Sequence, residues 1–259
     1  QKKTHYEHIW DRPDTYVGSI SLTKDVFWVF NKTKQIMEKR EIEFIPALYK
    51  IFDEIIVNAY DQYIKKLSEY KKTRSKKIKL VTAIRVDIDK EKGLVSVYNN
   101  GDGIDVAMHP KYKAYVPEFI FGALLSSTNY DDDEERITGG KNGYGAKLTN
   151  IFSKKFKIET VDHIRKLKFY QKYTNNMLEK SDPEITEFED TPFTRITFKP
   201  DFEKFGVTGF TDDMVAMMER RVYDMAGLTN ASVKVYLNNE KVKIADFETY
   251  VNIFLTPEE

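Results

Sequence analysis

The sequence predicts an α+β fold, a mixed, mainly antiparallel sheet with helices on one face. Two observations carry this reading. Alternating apolar and polar residues recur around polar turns at 83–100, 156–200 and 232–244, the pattern of half-buried strands joined as hairpins. Between them stand segments with helical spacing at 46–67 and 211–225. Hairpins interspersed with helices, each needing to bury one stripe, favour a sheet covered on one side. A chain of 259 residues, 41% hydrophobic and 14% aromatic, is long enough to bury a sizeable core as one large domain or two small ones.

The elements follow in order. Pro13, Asp14 and Gly18 give turn chemistry in "RPDTYVGSI", leading to the aromatic run "DVFWVF" at 25–30. Pro46 opens a helix in which Leu48, Ile51, Phe52, Ile55 and Ala59 recur on one side; proline is favoured in a first turn. Residues 65–79 carry eight Lys/Arg and one Glu, and read as a basic connection, either a solvated loop or a local anion-binding patch. Two alternating runs about Gly93 form a hairpin whose second strand enters "NNGDGI" at 99–104. A helix starts near Pro117, and another at "YGAKLTNIFS" after an acidic and glycine-rich stretch. "FKIETV", "RKLKFYQKY" and "FTRITFKP" are strands, with turns at Asn175-Asn176 and around Pro183. Thr211 caps a helix carrying Val215, Met218, Val222 and Met225. A last hairpin turns at Asn238-Asn239, and "FETYVNIFL" is a short C-terminal helix.

Composition narrows the function. Forty-one basic and 41 acidic residues cancel, so any nucleic-acid or membrane affinity must come from local patches. With no cysteine there is no disulfide, thiolate metal site or cysteine nucleophile. The N-terminus "QKKTHYEHIW" has no signal-peptide core, and no apolar run approaches membrane-spanning length. A soluble, intracellular protein without membrane partners is expected. His5 and His8 share a helical spacing, but two histidines without further ligands seldom hold zinc. Met214, Met217, Met218 and Met225 read as core packing.

Three short patterns could carry chemistry. "TGGKNGYGAKL" at 138–148 holds four glycines within seven residues. It is not a Walker A loop, because Ala146 stands where that loop needs lysine, nor a dinucleotide fingerprint, because Leu148 stands where that needs glycine. The spacing is G-x-x-G-x-G at 140–145, followed by Lys147 and a helical pattern. Backbone N–H groups there could converge on an anion, aided by a helix N-terminus, or the segment is an ordinary glycine-rich turn. Second, Glu54 and Asn58 lie at i and i+4 on one helix face. They suit a general base and a Mg²⁺ ligand, or a solvated face. Third, Asn99, Gly101 and Gly103 suit a tight approach of backbone to ligand, or a plain hairpin turn.

Taken together and in this order, E-x-x-x-N on a helix, N-x-G-x-G after a strand and G-x-x-G-x-G before a helix resemble the Bergerat ATP-binding fold of the GHKL superfamily, an α/β sandwich. Longer blocks, "LYKIFDEIIVNA", "NNGDGI", "TFKPD", "RRVYDMAG" and above all 116–153, resemble the N-terminal ATPase region of eukaryotic type II DNA topoisomerases. The superfamily has Asp where Asn99 stands, and Asn is this group's habit.

The resemblance implies ATP and Mg²⁺ as ligands. Glu54 would be the base that activates water, Asn58 the Mg²⁺ ligand, and Asn99 the adenine contact, with Gly101 and Gly103 beside it. Ser127, Thr128 and Asn129 would meet ribose and phosphate. Gly140, Lys141, Asn142, Gly143, Tyr144, Gly145, Ala146 and Lys147 would wrap the triphosphate. The acidic run 131–135 is expected to point away from it. Residues 1–259 would form one ATPase (N-gate) domain, with part of an N-terminal strap at about 1–20. The transducer and cleavage domains would lie outside it, so the chain alone would bind ATP but turn over weakly. The implied partners are a second copy, as a homodimer through the N-gate, and double-stranded DNA contacted without sequence preference through Lys65–Lys79. The implied compartment is the nucleus. Departures from the pattern are Lys141 where Arg is common, Asp105 where Pro is common, and a longer basic stretch after Asn58. The rivals are another GHKL protein of mismatch-repair or chaperone type, a nucleotide-gated dimerisation module, and a basic DNA-binding module without nucleotide.

Overall fold

The computed structural model describes residues 3–124 and 144–255. Two short helices come first, α1 (His5–Asp11), closed by a Thr4–Glu7 capping box, and α2 (Pro13–Tyr16), with proline in its first turn. Strands β1 (Thr23–Asn31) and β2 (Ile36–Phe44) form a separate two-stranded sheet. The sequence shows this hairpin only as an aromatic run. Its turn is set by Asn31, whose side chain accepts from the Thr33 and Lys34 N–H groups.

Helix α3 (Pro46–Thr73) is the longest element. It runs past the expected helix limit and takes in Lys65–Thr73, which the sequence reading assigns to a loop. The Lys, Leu, Ser, Glu and Tyr residues there contain no breaker, and the helix stops only at Arg74, in the left-handed region at φ 54°. Ile51, Phe52, Ile55 and Ile56 are fully buried along its inner stripe. Burial of each is worth roughly 1.5–3 kcal/mol.

Among the described residues the main sheet has nine strands. β3 (Ala83–Asp89) and β4 (Leu94–Asn100) form the expected hairpin. After α4 (Val116–Gly122) and α5 (Gly145–Ile151) come β5 (Ser153–Asp162), β6 (Leu167–Thr174), β7 (Glu179–Lys180), β8 (Glu184–Glu187) and β9 (Phe193–Pro200). Helix α6 (Asp212–Leu228) is capped by Thr211, whose hydroxyl accepts from the Met214 N–H. β10 (Lys234–Leu237), β11 (Glu240–Lys241) and α7 (Phe247–Asn252) complete the described chain. The sheet order is β11-β10-β3-β4-β9-β5-β6-β7, with β8 also on β6, and every pairing is antiparallel except β10 with β3.

Alternation fixes which face each strand residue takes. Ile84, Val86 and Ile88 on β3, Val95 and Val97 on β4, Phe156 and Ile158 on β5, and Ile196 and Phe198 on β9 are all buried. They share one apolar cluster with the inner faces of α3, α5 and α6. Met214, Met217, Met218 and Met225 are buried, as expected of packing residues. Met217 also closes a second small cluster with Val29 and Ile42, which holds the β1–β2 hairpin on α6. No helix among the described residues is long and apolar enough to cross a membrane.

Candidate active site

At one end of the sheet the inward positions turn polar. Asn99 continues the Val95, Val97 alternation and is 5% exposed. It stands opposite Thr194 on β9, which stands opposite Thr160 on β5. The two threonine hydroxyls are 2.8 Å apart, and Thr160 Oγ1 accepts from the Ile104 N–H. A row of apolar residues one step further in (Val97, Ile196, Ile158) separates this polar row from the core.

Above that polar row lies a cavity of about 680 Å³, of a size suited to a small-molecule ligand. Glu54, Asn58, Asp61, Gln62 and Lys65 from α3 form one wall. Val97, Asn99, Thr194 and Ile196 form the floor. Gly103–Asp105, His109 and Pro110 form a rim, and Ile120 and Phe121 of α4 with Gly145 and Ala146 of α5 close the far side.

The Glu54 carboxylate is about one-fifth exposed and pairs with Lys50 Nζ at 2.5 Å. It lies hard against the first residue of α5: a Cβ on Gly145 would sit 1.8 Å from Glu54 Oε2. Asp61, two helical turns beyond Glu54, has its carboxyl held above the usual range, first by burial and then by the Glu54 charge. Two neighbouring carboxylates and the Asn58 amide make a set of hard oxygen donors on one wall, the chemistry a Mg²⁺ ion requires.

The turn after β4 is pinned from three sides by Asp102. Its Oδ1 accepts from the Lys79 N–H and lies 3.3 Å from His163 Nδ1, and its Oδ2 pairs with Lys66. Gln62 donates to the Asp102 carbonyl. Gly101 turns at φ +93°. Gly103 admits no side chain, since its Cβ would meet the Val161 carbonyl oxygen at 2.1 Å. Lys66 is thus occupied with Asp102 and Glu69 and is only 16% exposed. It does not belong to the free basic patch expected at 65–79.

Lys147 is buried, with Nζ 5.1 Å from the Phe119 ring centre and 5.9 Å from that of Tyr144. It has no carboxylate partner among the described residues, and burial pushes its pKa from 10.5 down to about 8. A buried cation with no carboxylate beside it among the described residues could receive an anion. Its depressed pKa has a measurable sign. Between pH 8 and 10.5 the unfolded chain holds a proton that the folded chain does not, so this group makes ligand-free stability rise with pH across that window. Lys147→Met is expected to flatten that rise in melting curves taken from pH 7 to 10.

The sequence-derived site residues fall into three groups. Glu54, Asn58, Asn99, Gly103, Gly145 and Ala146 meet on the cavity wall. Gly101, Tyr144 and Lys147 are not among its lining residues. Ser127, Thr128, Asn129, Gly140, Lys141, Asn142 and Gly143 lie outside the described residues, as does the acidic run 131–135. Sequence reasoning missed Asp61, Gln62 and Thr194. The first two were open to it, being seven and eight residues after Glu54 on the same helix. Thr194 shows only as a polar residue at an inward position of a strand.

No protein-family model matches the chain. Curated relatives do. DNA topoisomerase 2 of Plasmodium falciparum is 47% identical over 255 residues, 98% of this chain and 18% of that protein. The Drosophila melanogaster enzyme is also 47% identical over 98% of this chain, and 17% of its own length. Over nearly its whole length the chain is related to the ATPase region of type II DNA topoisomerases. It spans less than a fifth of the length of those relatives. Among solved structures, the ATPase region of Saccharomyces cerevisiae topoisomerase II superposes with a TM-score of 0.84 at 42% identity, covering 98% of this chain and 64% of that one. The ATPase domain of Thermus thermophilus gyrase B, at 20% identity and a TM-score of 0.62, shares the fold. The architecture is therefore the Bergerat (GHKL) ATPase fold, as the topoisomerase resemblance implies.

Proposed function

We propose that the chain is the ATP-binding and ATP-hydrolysing N-gate domain of a type II topoisomerase, which drives passage of one DNA duplex through a transient break in another. The observation that carries this reading is a single cavity. It sets the Glu54 carboxylate against the start of α5, with Asn58 one turn along the same helix and Asn99 on the floor. Asn99 has both donor and acceptor capacity for an adenine edge. Lys147 and the glycine segment before it would meet the phosphates, with Ser127–Asn129 at ribose and phosphate. A bound Mg²⁺, held by Asn58, would neutralise charge on the phosphate oxygens. Glu54 would take the proton of the attacking water. Positioning and electrostatics carry most of such a reaction. Homodimerisation through the N-gate, duplex DNA as partner and a nuclear location belong to the same proposal.

Calorimetry with Mg²⁺-ATP tests it. The chain is expected to bind nucleotide, to lose most of that affinity in Asn99→Ala, and to lose the Mg²⁺ dependence in Asn58→Ala. Because phosphate beside Lys147 restores its proton, binding above pH 8 should take up a proton, and affinity should fall as pH rises beyond about 8. No heat of binding with any adenine nucleotide would overturn the reading.

A further inference from the structure

The second face of the main sheet, turned away from α3, α5 and α6, has an arrangement that costs stability. Outward positions on β5 are Lys155, Lys157 and Glu159. Register places Lys155 opposite Lys199 of β9 and Lys157 opposite Lys172 of β6. Like charges directly opposed across a ladder destabilise a sheet. None of these four lysines has a carboxylate partner among the described residues, although ion pairs are formed all round them.

One step along, the same face carries a cross-strand row in register, Tyr236, Arg85, Tyr98, Arg195 and Glu159. The Arg85 guanidinium lies 4.6 Å from the Tyr236 ring centre, and that of Arg195 5.3 Å from that of Tyr98. Glu159 is already shared between Lys168 and Arg195. Asp87 and Asp89 on β3, and Glu179 and Glu184 on the β7–β8 side, stand off at the margins of this face, and the Asp190 charge reaches Tyr98 of the row from the segment before β9. The stretch around Lys155, Lys157, Lys172 and Lys199 is therefore a cationic patch in a chain whose net charge is zero.

We propose that this outer face is a docking surface for the phosphate backbone of duplex DNA, additional to any contact made by 65–79. Unpaired ammonium groups at regular strand spacing suit a rod of evenly repeated anions and read no sequence. Successive outward lysines on β5 are about 7 Å apart and neighbouring strands about 4.8 Å apart. The choice of DNA over other polyanions rests on the topoisomerase reading; the charge pattern itself does not.

The test is fluorescence anisotropy of the chain with a short labelled duplex between about 50 and 200 mM salt. In Lys155→Glu/Lys157→Glu each new carboxylate faces Lys199 or Lys172, so two repulsive pairs become attractive. That variant is expected to melt roughly 1–3 °C higher. It should bind duplex at least tenfold more weakly, with a slope of log affinity against log salt shallower by about 2. Lys155→Gln/Lys157→Gln should show the same slope change, and decides the matter if the charge-reversed variant misfolds. Unchanged affinity and slope in a folded variant would overturn the proposal, as would absence of duplex binding by the parent chain or preferential binding of polyglutamate. Mg²⁺-ATP binding, measured on the same samples, should be unaffected. Its absence in the parent chain would remove the nucleotide reading while leaving the anisotropy result to stand alone.

Discussion

Glu54→Gln is expected to leave nucleotide binding intact and to lower ATP turnover by about 10²–10⁴-fold, the usual contribution of a positioned general base. Glutamine matches the size of glutamate and its hydrogen-bonding reach, but cannot take a proton. The substitution also removes the partner of Lys50, a half-exposed i,i+4 pair worth at most about 1 kcal/mol, so the fold survives. Phosphate release should be followed in a full-length type II topoisomerase carrying this chain as its ATPase region, with calorimetry on the isolated chain for binding. Unchanged release would remove Glu54 as the base. A loss of binding equal to the loss of turnover would assign it to holding the nucleotide instead.

The second large effect is expected from a residue with no side chain. In Gly145→Ala the new methyl would fall 1.8 Å from Glu54 Oε2, 2.7 Å from its Cδ and 3.3 Å from its Cβ. Both carboxylate and stem lie in the way, so the acid must leave its place by more than an ångström. A displacement of that size is enough to cost about 10²-fold in rate. Unlike the glutamine variant, this one keeps its carboxylate and should melt close to the parent. If the two act through the same group, the double variant is no slower than Glu54→Gln alone. Additive losses would mean that Gly145 serves some purpose apart from Glu54.

Much of the site was legible in the sequence because its parts are local. Glu54 and Asn58 sit one turn apart on a strongly periodic helix, and Asn99 to Gly103 run from the end of one strand into its turn. Thr194 was not legible. It reaches the floor only because β9 lies beside β4, and nothing in the residues of either strand names its neighbour. The parallel join of β10 to β3 was hidden for the same reason. The β1–β2 hairpin was hidden because only Val29, Met37 and Ile42 are buried along it, so neither strand shows clean alternation. At 65–79 the density of charge suggests a loop. Charge does not break a helix, and α3 continues until Arg74 adopts a left-handed backbone.

The strand order has a consequence for how the molecule comes into being. β4 carries Asn99, yet the strand that completes the floor beside it arrives 95 residues later, with Thr194. At ordinary rates of synthesis that interval is about 5–20 s. Throughout it α3 and the β3–β4 hairpin exist with one side of the ligand cavity missing and the apolar edge of β4 uncovered. A nascent chain therefore gains the site late, only once Pro200 has left the ribosome. Until then the half-built sheet is a surface for chaperones to guard.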